Sequence, residues 1–416
     1  MIRKENYNIT LAACYTGYFV EAITVNLLAV IFIPLREQFG LTYAQFGTFV
    51  FINFITELLV DILFSKALDR VGTKPFLAPA LCFCIVGFIL FALTPTLFPS
   101  NVYVGFLVSV FLFATAGGFM ELCLSPIVDA IPSDAADSSK ALAFLHSFYA
   151  WGQVAVVLVT SLLIYAGVSW RLIVALWSIV PAAAITLFSR APVAERPIGD
   201  QAMAINKLFR INIFVLAMFA IACGGASEII IAQFASAFLE RALGMAKLTG
   251  DILGLCGFAV FLAIGRMLYG LLGDKLNIHV ALCGGSVLLV AAYLVIVFSP
   301  VGAASVAAIA LCGLFVSLMW PGTLAVASKS LPNAGASMFA LLSASGCLGC
   351  ALGPWFSGVM TDFSIQVSPT WTNLGAEQFG LRVGLLVGVL FPLASFILQA
   401  AIKKVSGKTP TVNNGE

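Results

Sequence analysis

The sequence predicts an all-α polytopic membrane protein with twelve transmembrane helices in two pseudo-symmetric six-helix bundles. Three observations predict it: the composition, the number of long apolar runs, and an internal repeat. Of the 416 residues, 61% are hydrophobic and 10% are charged, whereas a soluble domain carries about 25% charged residues. Such a chain has too little polar surface to cover a globule in water. Its net charge of +2 gives no indication of a nucleic-acid partner.

Twelve apolar runs are long enough to cross a bilayer, which takes about 20 residues. They are predicted near 10–33, 44–64, 76–96, 102–127, 140–165, 170–189, 211–238, 250–272, 280–299, 302–327, 336–360 and 381–402. The longest polar connection follows the sixth run. We therefore predict an N-terminal bundle over 1–189, a cytoplasmic linker over 190–210, a C-terminal bundle over 211–404 and a disordered cytoplasmic tail over 405–416.

The distribution of basic residues predicts the orientation. If both termini are cytoplasmic, fifteen Lys and Arg side chains fall on the cytoplasmic side and five on the other. This bias follows the positive-inside rule. We predict a multi-pass protein of the cytoplasmic (inner) membrane with both termini inside, and we expect the first apolar run to be a membrane span and not a cleaved signal peptide.

The two halves resemble each other at an offset near 200 residues. Gly118 and Pro126 of the fourth run recur as Gly313 and Pro321 of the tenth, but Glu121 falls on Val316. A parallel duplication of six spans is the architecture of one class of secondary transporters, whose site lies near the bilayer midplane between the halves. The charge present in one half only is what we expect of a coupling residue.

A loop motif identifies a family resemblance. Asp69-Arg70-Val71-Gly72-Thr73-Lys74, after the second run, resembles the G-x-x-x-D-R-x-G-R-K signature of the major facilitator superfamily, with Ser65 in place of the first Gly. A weaker copy, Gly270 to Lys275, follows the eighth run. The resemblance implies transport by alternating access, with the two halves rocking about a central site.

Further motifs are similar to the sugar:proton symporters of the fucose permease type. They are Glu121-x-x-x-x-Pro126, Leu145-His146-x-Phe148-x-x-x-Gly152, Gly225-x-x-Glu228 and Gly265-Arg266. One position departs from that group. Val30 stands where the fucose permease has an Asp, and the carboxylate of the first span is instead Glu21.

Four ionisable residues within the apolar runs are candidates for proton coupling. An ionisable side chain at membrane depth is costly and persists where it faces the protein interior or a water-filled cavity. Glu121 is the first choice, and Glu21, Glu228 and His146 are the others. The alternative for each is a structural hydrogen bond to a neighbouring helix.

Polar and aromatic residues of the same runs are candidates for substrate binding. His146, Tyr149 and Gln153 recur at i, i+3 and i+7 and so share one helix face. Amide and hydroxyl groups with aromatic rings suit a sugar. The candidates are Asn26, Tyr149, Trp151, Gln153, Gln233, Trp320 and Trp355. Packing, or anchoring at the lipid interface, is the alternative for each Trp.

Charged residues in the two repeated loops are candidates for a cytoplasmic gate. Charge pairs there would hold one conformation shut. The candidates are Asp69, Arg70, Lys74, Asp274 and Lys275. Glu57 and Asp61 of the second span are candidate additions to this network, and a purely structural role is the alternative for them.

The sequence contains no motif of an ATPase or hydrolase and no Cys/His metal cluster. Its ten cysteines all fall within apolar runs, where a free buried thiol is the simplest interpretation. We therefore predict a non-enzyme without cofactor, a monomer in the lipid bilayer that takes up a small sugar or related metabolite with a proton. A proton-coupled metabolite or drug exporter of the same fold is the alternative. A transport-inactive membrane sensor is a third hypothesis, although such proteins usually append a long soluble domain.

Overall fold

The chain folds into twelve helical spans, as seen in a computed structural model that describes residues 7–131, 135–193, 205–272, 275–331, 334, 336–368 and 373–406. Of residues 66, 69, 129, 135–143, 205, 270, 272, 336 and 337 only the backbone is described. The spans, numbered 1 to 12 in chain order, are Asn8–Phe39, Tyr43–Ser65, Lys74–Leu97, Val102–Val128, Phe144–Tyr165, Trp170–Arg190, Asn212–Ala242, Lys247–Tyr269, Ile278–Phe298, Gly302–Ser330, Met338–Gln366 and Ala376–Ser406.

All twelve predicted spans are confirmed, and several are longer than their apolar runs. Span 1 continues beyond the predicted end at residue 33 through Pro34 and Arg36. It ends at Gly40, whose φ of 66° is left-handed, a conformation that favours glycine. Span 12 begins at Ala376, before the predicted residue 381. Its first turn carries polar side chains, so it was not recognised as part of the apolar run. Hydropathy therefore located the spans but missed their polar ends.

Local sequence explains where other spans begin and break. Thr42 and Gln45 form a reciprocal capping box at the start of span 2. Span 10 consists of two helices, Gly302–Val316 and Met319–Ser330, with Pro321 in the first turn of the second. A proline there costs no helical hydrogen bond, because the first amides of a helix lack an intrahelical acceptor.

The spans form two halves, 1 to 6 and 7 to 12, and three pairs of helices make the most extensive contacts between them among the described residues. Span 2 packs on span 11, span 5 on span 8, and span 1 on span 7. Because the number of spans is even, residues 8 and 406 lie at the same end of the bundle. We call this end the terminal face and the opposite end, where span 1 ends and span 12 begins, the distal face.

The boundaries predicted for the two bundles, the linker and the tail remain predictions. Most of the predicted linker, residues 194–204, and residues 407–416 of the predicted tail lie outside the described residues.

Candidate functional site

Four carboxylates of the first half meet between its helices. Glu21 of span 1 and Glu57 of span 2 are buried, and Asp61 and Glu121 are half-buried. Glu57, Asp61 and Glu121 lie close enough to Glu21 to act on it electrostatically. We call these four residues the acidic cluster. Sequence reasoning proposed Glu21 and Glu121 for one site, but it considered Glu57 and Asp61 only as additions to the gate or as structural residues.

Glu121 begins a series of polar contacts across spans 4, 1 and 5. The Tyr18 hydroxyl donates to Oε2 of Glu121 at 3.3 Å and lies 3.3 Å from Oγ of Ser125. The Ser125 hydroxyl in turn lies 3.4 Å from Nε2 of His146. The Tyr18 and His146 rings also meet edge to face, with centroids 5.2 Å apart. The distances are at the long end of the hydrogen-bonding range.

Glu57 is held against a glycine of span 4. The Asn53 amide, one turn earlier on span 2, donates to Oε1 of Glu57 at 2.8 Å. A Cβ at Gly117 would lie 2.8 Å from that same Oε1 and 3.0 Å from Oγ1 of Thr24. Gly117 therefore lets spans 1, 2 and 4 come together around the acidic cluster.

The second half contributes an ion pair. Nη2 of Arg266 in span 8 lies 3.0 Å from Oε1 and 3.1 Å from Oε2 of Glu228 in span 7. This contact neutralises Glu228, which sequence reasoning treated as a free candidate for proton coupling. Arg266 was noted only as part of a motif, since a motif does not reveal which carboxylate an arginine meets.

Amide side chains near the middle of spans 1 and 7 make contacts within the first half and between the halves. The amide nitrogen of Asn26 donates to the Tyr149 hydroxyl of span 5 at 3.4 Å. Gln233 of span 7 donates to the backbone oxygen of Val25 at 2.9 Å. Gln153, one turn after Tyr149, is buried. Four predicted substrate residues therefore lie on spans 1, 5 and 7, two of which carry Glu21 and Glu228.

Polar contacts also join the halves at the distal face. The Tyr43 hydroxyl donates to Glu377 at 2.8 Å, and Arg36 pairs with the same carboxylate at 3.2 Å. Arg241 pairs with Glu37. The Asp362 carboxylate accepts from the backbone amides of Tyr43 and Ala44, the first residues of span 2. A negative charge at a helix N-terminus is favourable.

A fully buried carboxylate adds to this distal contact. Asp251 of span 8 accepts from Ser161 of span 5 at 2.6 Å and from Ser236 of span 7 at 2.5 Å, and it pairs with Lys247 at 3.2 Å. Sequence reasoning missed it because Asp251 is the second residue of its apolar run, where a charge looks like a helix end. These contacts close the distal face in this conformation.

The sequence profile of the Major Facilitator Superfamily matches residues 14–354 and 216–398. The chain belongs to this superfamily. No curated protein sequence matches it significantly.

Solved structures of superfamily transporters share the fold. A bacterial homologue of the human lysosomal transporter Spinster, in an inward-facing and occupied conformation, is similar with a TM-score of 0.75 and 15% identity, over 95% of this chain and 96% of that one. A D-xylose–proton symporter gives 0.75 and 15% over 94% and 97%. The fucose:proton symporter of E. coli gives 0.65 and 17% over 95% and 99%. At these identities the likeness shows the fold alone.

The three predicted tryptophans of this superfamily member lie in different surroundings. Trp320 packs against Gly346 of span 11 and against Gly225 of span 7. Gly225 lies one turn before Glu228 on the same helix. Trp151 is 45% exposed and shares an apolar face of span 5 with Phe144 and Leu162. Trp355 is 38% exposed and contacts Phe51 of span 2. The structure therefore brings Trp320 near the Glu228 region and leaves Trp151 and Trp355 apart from the acidic cluster.

The predicted gating residues that the structure describes lie at the terminal face. Arg70, Lys74 and Lys275 are exposed. The Asp69 side chain and all of Asp274 lie outside the described residues. The proposed charge pairs of this loop therefore remain predictions.

Proposed function

We propose that this superfamily member is a secondary active transporter that takes up a small polar metabolite, such as a sugar, together with a proton. The observation that carries the proposal is the contact series from Glu121 through Tyr18 and Ser125 to His146. It joins three helices of one half around a carboxylate at membrane depth. Charged groups there mark ion and proton pathways.

Proton uptake by Glu121 changes both its charge and its hydrogen bonding. The ionised carboxylate only accepts, and it receives the Tyr18 hydroxyl. The protonated acid gains a hydroxyl that can donate, and the Tyr18 hydroxyl can accept as well as donate, so the direction of this hydrogen bond can reverse. Protonation also removes the cost of burying a charge when the halves close around the substrate. The series thus couples occupancy by a proton to the packing of spans 1, 4 and 5.

The substrate would lie between spans 1, 5 and 7, next to this series. Asn26, Tyr149, Gln153 and Gln233 supply amide and hydroxyl groups there, and Trp320 supplies an aromatic ring. Such groups match the hydroxyls and ring faces of a sugar. Two of the structures with this fold are sugar–proton symporters by name, which supports the proposal without extending their substrates to this chain.

The cycle would use the two halves as rocking bodies. With the terminal face in the cytoplasm, as the distribution of basic residues predicts, the contacts at the distal face would close the outside in this conformation. Arg70, Lys74 and Lys275, with Asp69 and Asp274, would close the inside in the opposite state. The transporter would act as a monomer in the cytoplasmic membrane, driven by the proton gradient and without a cofactor.

The test is a panel uptake screen in proteoliposomes with Glu121→Gln, which keeps the shape and removes the titratable group. We expect the variant to lose uptake driven by a pH gradient but to retain exchange between substrate inside and outside the vesicle. Glu195→Gln, the same change in the predicted linker, is the matched control. Unimpaired gradient-driven uptake by Glu121→Gln would contradict the proposal.

The direction of proton movement decides between import and export. Substrate added outside should make the external medium more alkaline if proton and substrate enter together. Proton movement opposite to substrate identifies the exporter instead.

A further inference from the structure

Glu21 is a buried carboxylate of the central region to which no side chain of the described residues donates. Glu57 accepts from Asn53, Glu121 from Tyr18, and Glu228 from Arg266. Glu21 is 8% exposed, and its Oε2 is buried without a hydrogen-bond partner in the part of the chain that the structure describes. Asp61 also has an unpartnered oxygen, but its side chain is half-buried.

The charges around Glu21 do not compensate for it. Three carboxylates of the acidic cluster act on it, and Arg266 is the cation that opposes them. Arg266 makes its close contacts with both oxygens of Glu228. An isolated ionised carboxylate in a low-dielectric interior is strongly unfavourable, so Glu21 either carries a proton or pairs with a cation. A cationic group can take the place of that proton, whereas an anion would add to the negative charge of the acidic cluster.

Hydroxyl and amide groups on the helices around Glu21 can bind the other polar groups of a cationic ligand. The Tyr149 hydroxyl of span 5 accepts from the amide of Asn26, which follows Glu21 by five residues on span 1. The Tyr18 hydroxyl donates to Glu121, another member of the acidic cluster. Hydroxyl groups of spans 1 and 5 thus accompany the carboxylates of this region.

We propose that Glu21 is the counter-ion for a basic amino group on the transported metabolite, so that the substrate is a hydroxylated amine, such as an amino sugar. The proposal rests on the proposed transport function and specifies its substrate class. The ammonium pairs with Glu21, the hydroxyls meet Tyr149 and Asn26, and Glu121 retains the proton. A neutral sugar would leave Glu21 unpaired, and an organic anion would meet the acidic cluster.

Matched pairs of amine and alcohol test the charge preference directly. The pairs are glucosamine with glucose, ethanolamine with ethylene glycol, and 2-amino-1,3-propanediol with glycerol. Thermal unfolding of the full-length protein in lipid nanodiscs is measured against ligand concentration. Ligands that bind the folded state raise the unfolding temperature. We expect at least one amine to stabilise the wild type at concentrations where its alcohol does not.

Variants of Glu21 assign the effect to this residue. Glu21→Gln should weaken amine binding about tenfold or more, the equivalent of one charge-assisted hydrogen bond. Glu21→Asp keeps the charge and should retain the preference for the amine. The proposal is overturned if no amine stabilises the wild type, if alcohols stabilise it equally, or if Glu21→Gln binds amines as the wild type does. Should Glu21→Gln fail to fold, the wild-type comparison and Glu21→Asp decide.

The outcome is separable from that for the proposed function. Loss of gradient-driven uptake in Glu121→Gln together with a preference for alcohols would leave proton-coupled transport standing and remove only the amine. Amine binding that depends on Glu21, together with unimpaired uptake in Glu121→Gln, would support the amine site and contradict proton coupling through Glu121.

Discussion

The hydroxyl of Ser161 donates a 2.6 Å hydrogen bond to Asp251 across the boundary between the two halves. Asp251 is fully buried, and its contacts with Ser236 and Lys247 lie within its own half. Separation of the halves at the distal face therefore removes Ser161 and leaves the rest of the network in place. This arrangement lets Asp251 stay paired in both states, while the hydrogen bond itself favours the closed one.

Ser161→Ala should accordingly shift the conformational equilibrium towards opening of the distal face. A hydrogen bond to a charged group contributes roughly 1.5–3 kcal/mol, so we expect a shift of about tenfold or more. Distances between spin labels on spans 1 and 7 at the distal face, measured by electron paramagnetic resonance, report it. Ser189→Ala, an exposed serine at the end of span 6, is the control and should change nothing. An unchanged distance distribution in Ser161→Ala would show that the bond does not bias the states.

Gly117→Ala should disturb the acidic cluster. The added methyl group meets Oε1 of Glu57 and Oγ1 of Thr24 at less than normal contact distance, and overpacking of this kind costs about 1–3 kcal/mol. We expect a lower unfolding temperature and slower gradient-driven uptake. Gly284→Ala is the matched control, because a Cβ there meets nothing within 4 Å. If Gly117→Ala unfolds at the wild-type temperature, as the control should, spans 2 and 4 are not in close contact at this glycine.

Removal of Arg266 should leave Glu228 as an uncompensated charge. Breaking a buried ion pair from one side costs about 3–5 kcal/mol, whereas replacing both partners costs much less. Arg266→Gln should therefore unfold at a markedly lower temperature, and the double variant Glu228→Gln/Arg266→Gln should recover most of the loss. Arg190→Gln, at an exposed position, controls for the loss of a guanidinium. Additive effects of the two substitutions would mean that the residues do not form a pair.

The fold could be predicted from the sequence because membrane spans are recognised by their composition and length. The sequence located Glu21 and Glu121 for the same reason: a carboxylate stands out in an apolar run. It did not indicate that Glu57 belongs with them, since that depends on Gly117 admitting span 2 to span 4. Nor did it indicate that Arg266 neutralises Glu228 or that Asp251 joins the halves. These are pairings between distant segments, and no local pattern encodes them.

Tyr18→Phe isolates the hydroxyl that links Glu121 to Ser125 and keeps the ring that packs on His146. Without this donor the Glu121 carboxylate loses its hydrogen bond to span 1, and protonation of Glu121 no longer changes how spans 1 and 4 interact. We expect gradient-driven uptake to fall about tenfold, in line with the loss of one hydrogen bond to a charged group, while exchange at equal pH changes little. Tyr165→Phe, an exposed tyrosine at the end of span 5, should match the wild type in both assays. An equal fall in uptake and exchange would instead place the Tyr18 hydroxyl in substrate binding, because only a coupling role separates the two rates.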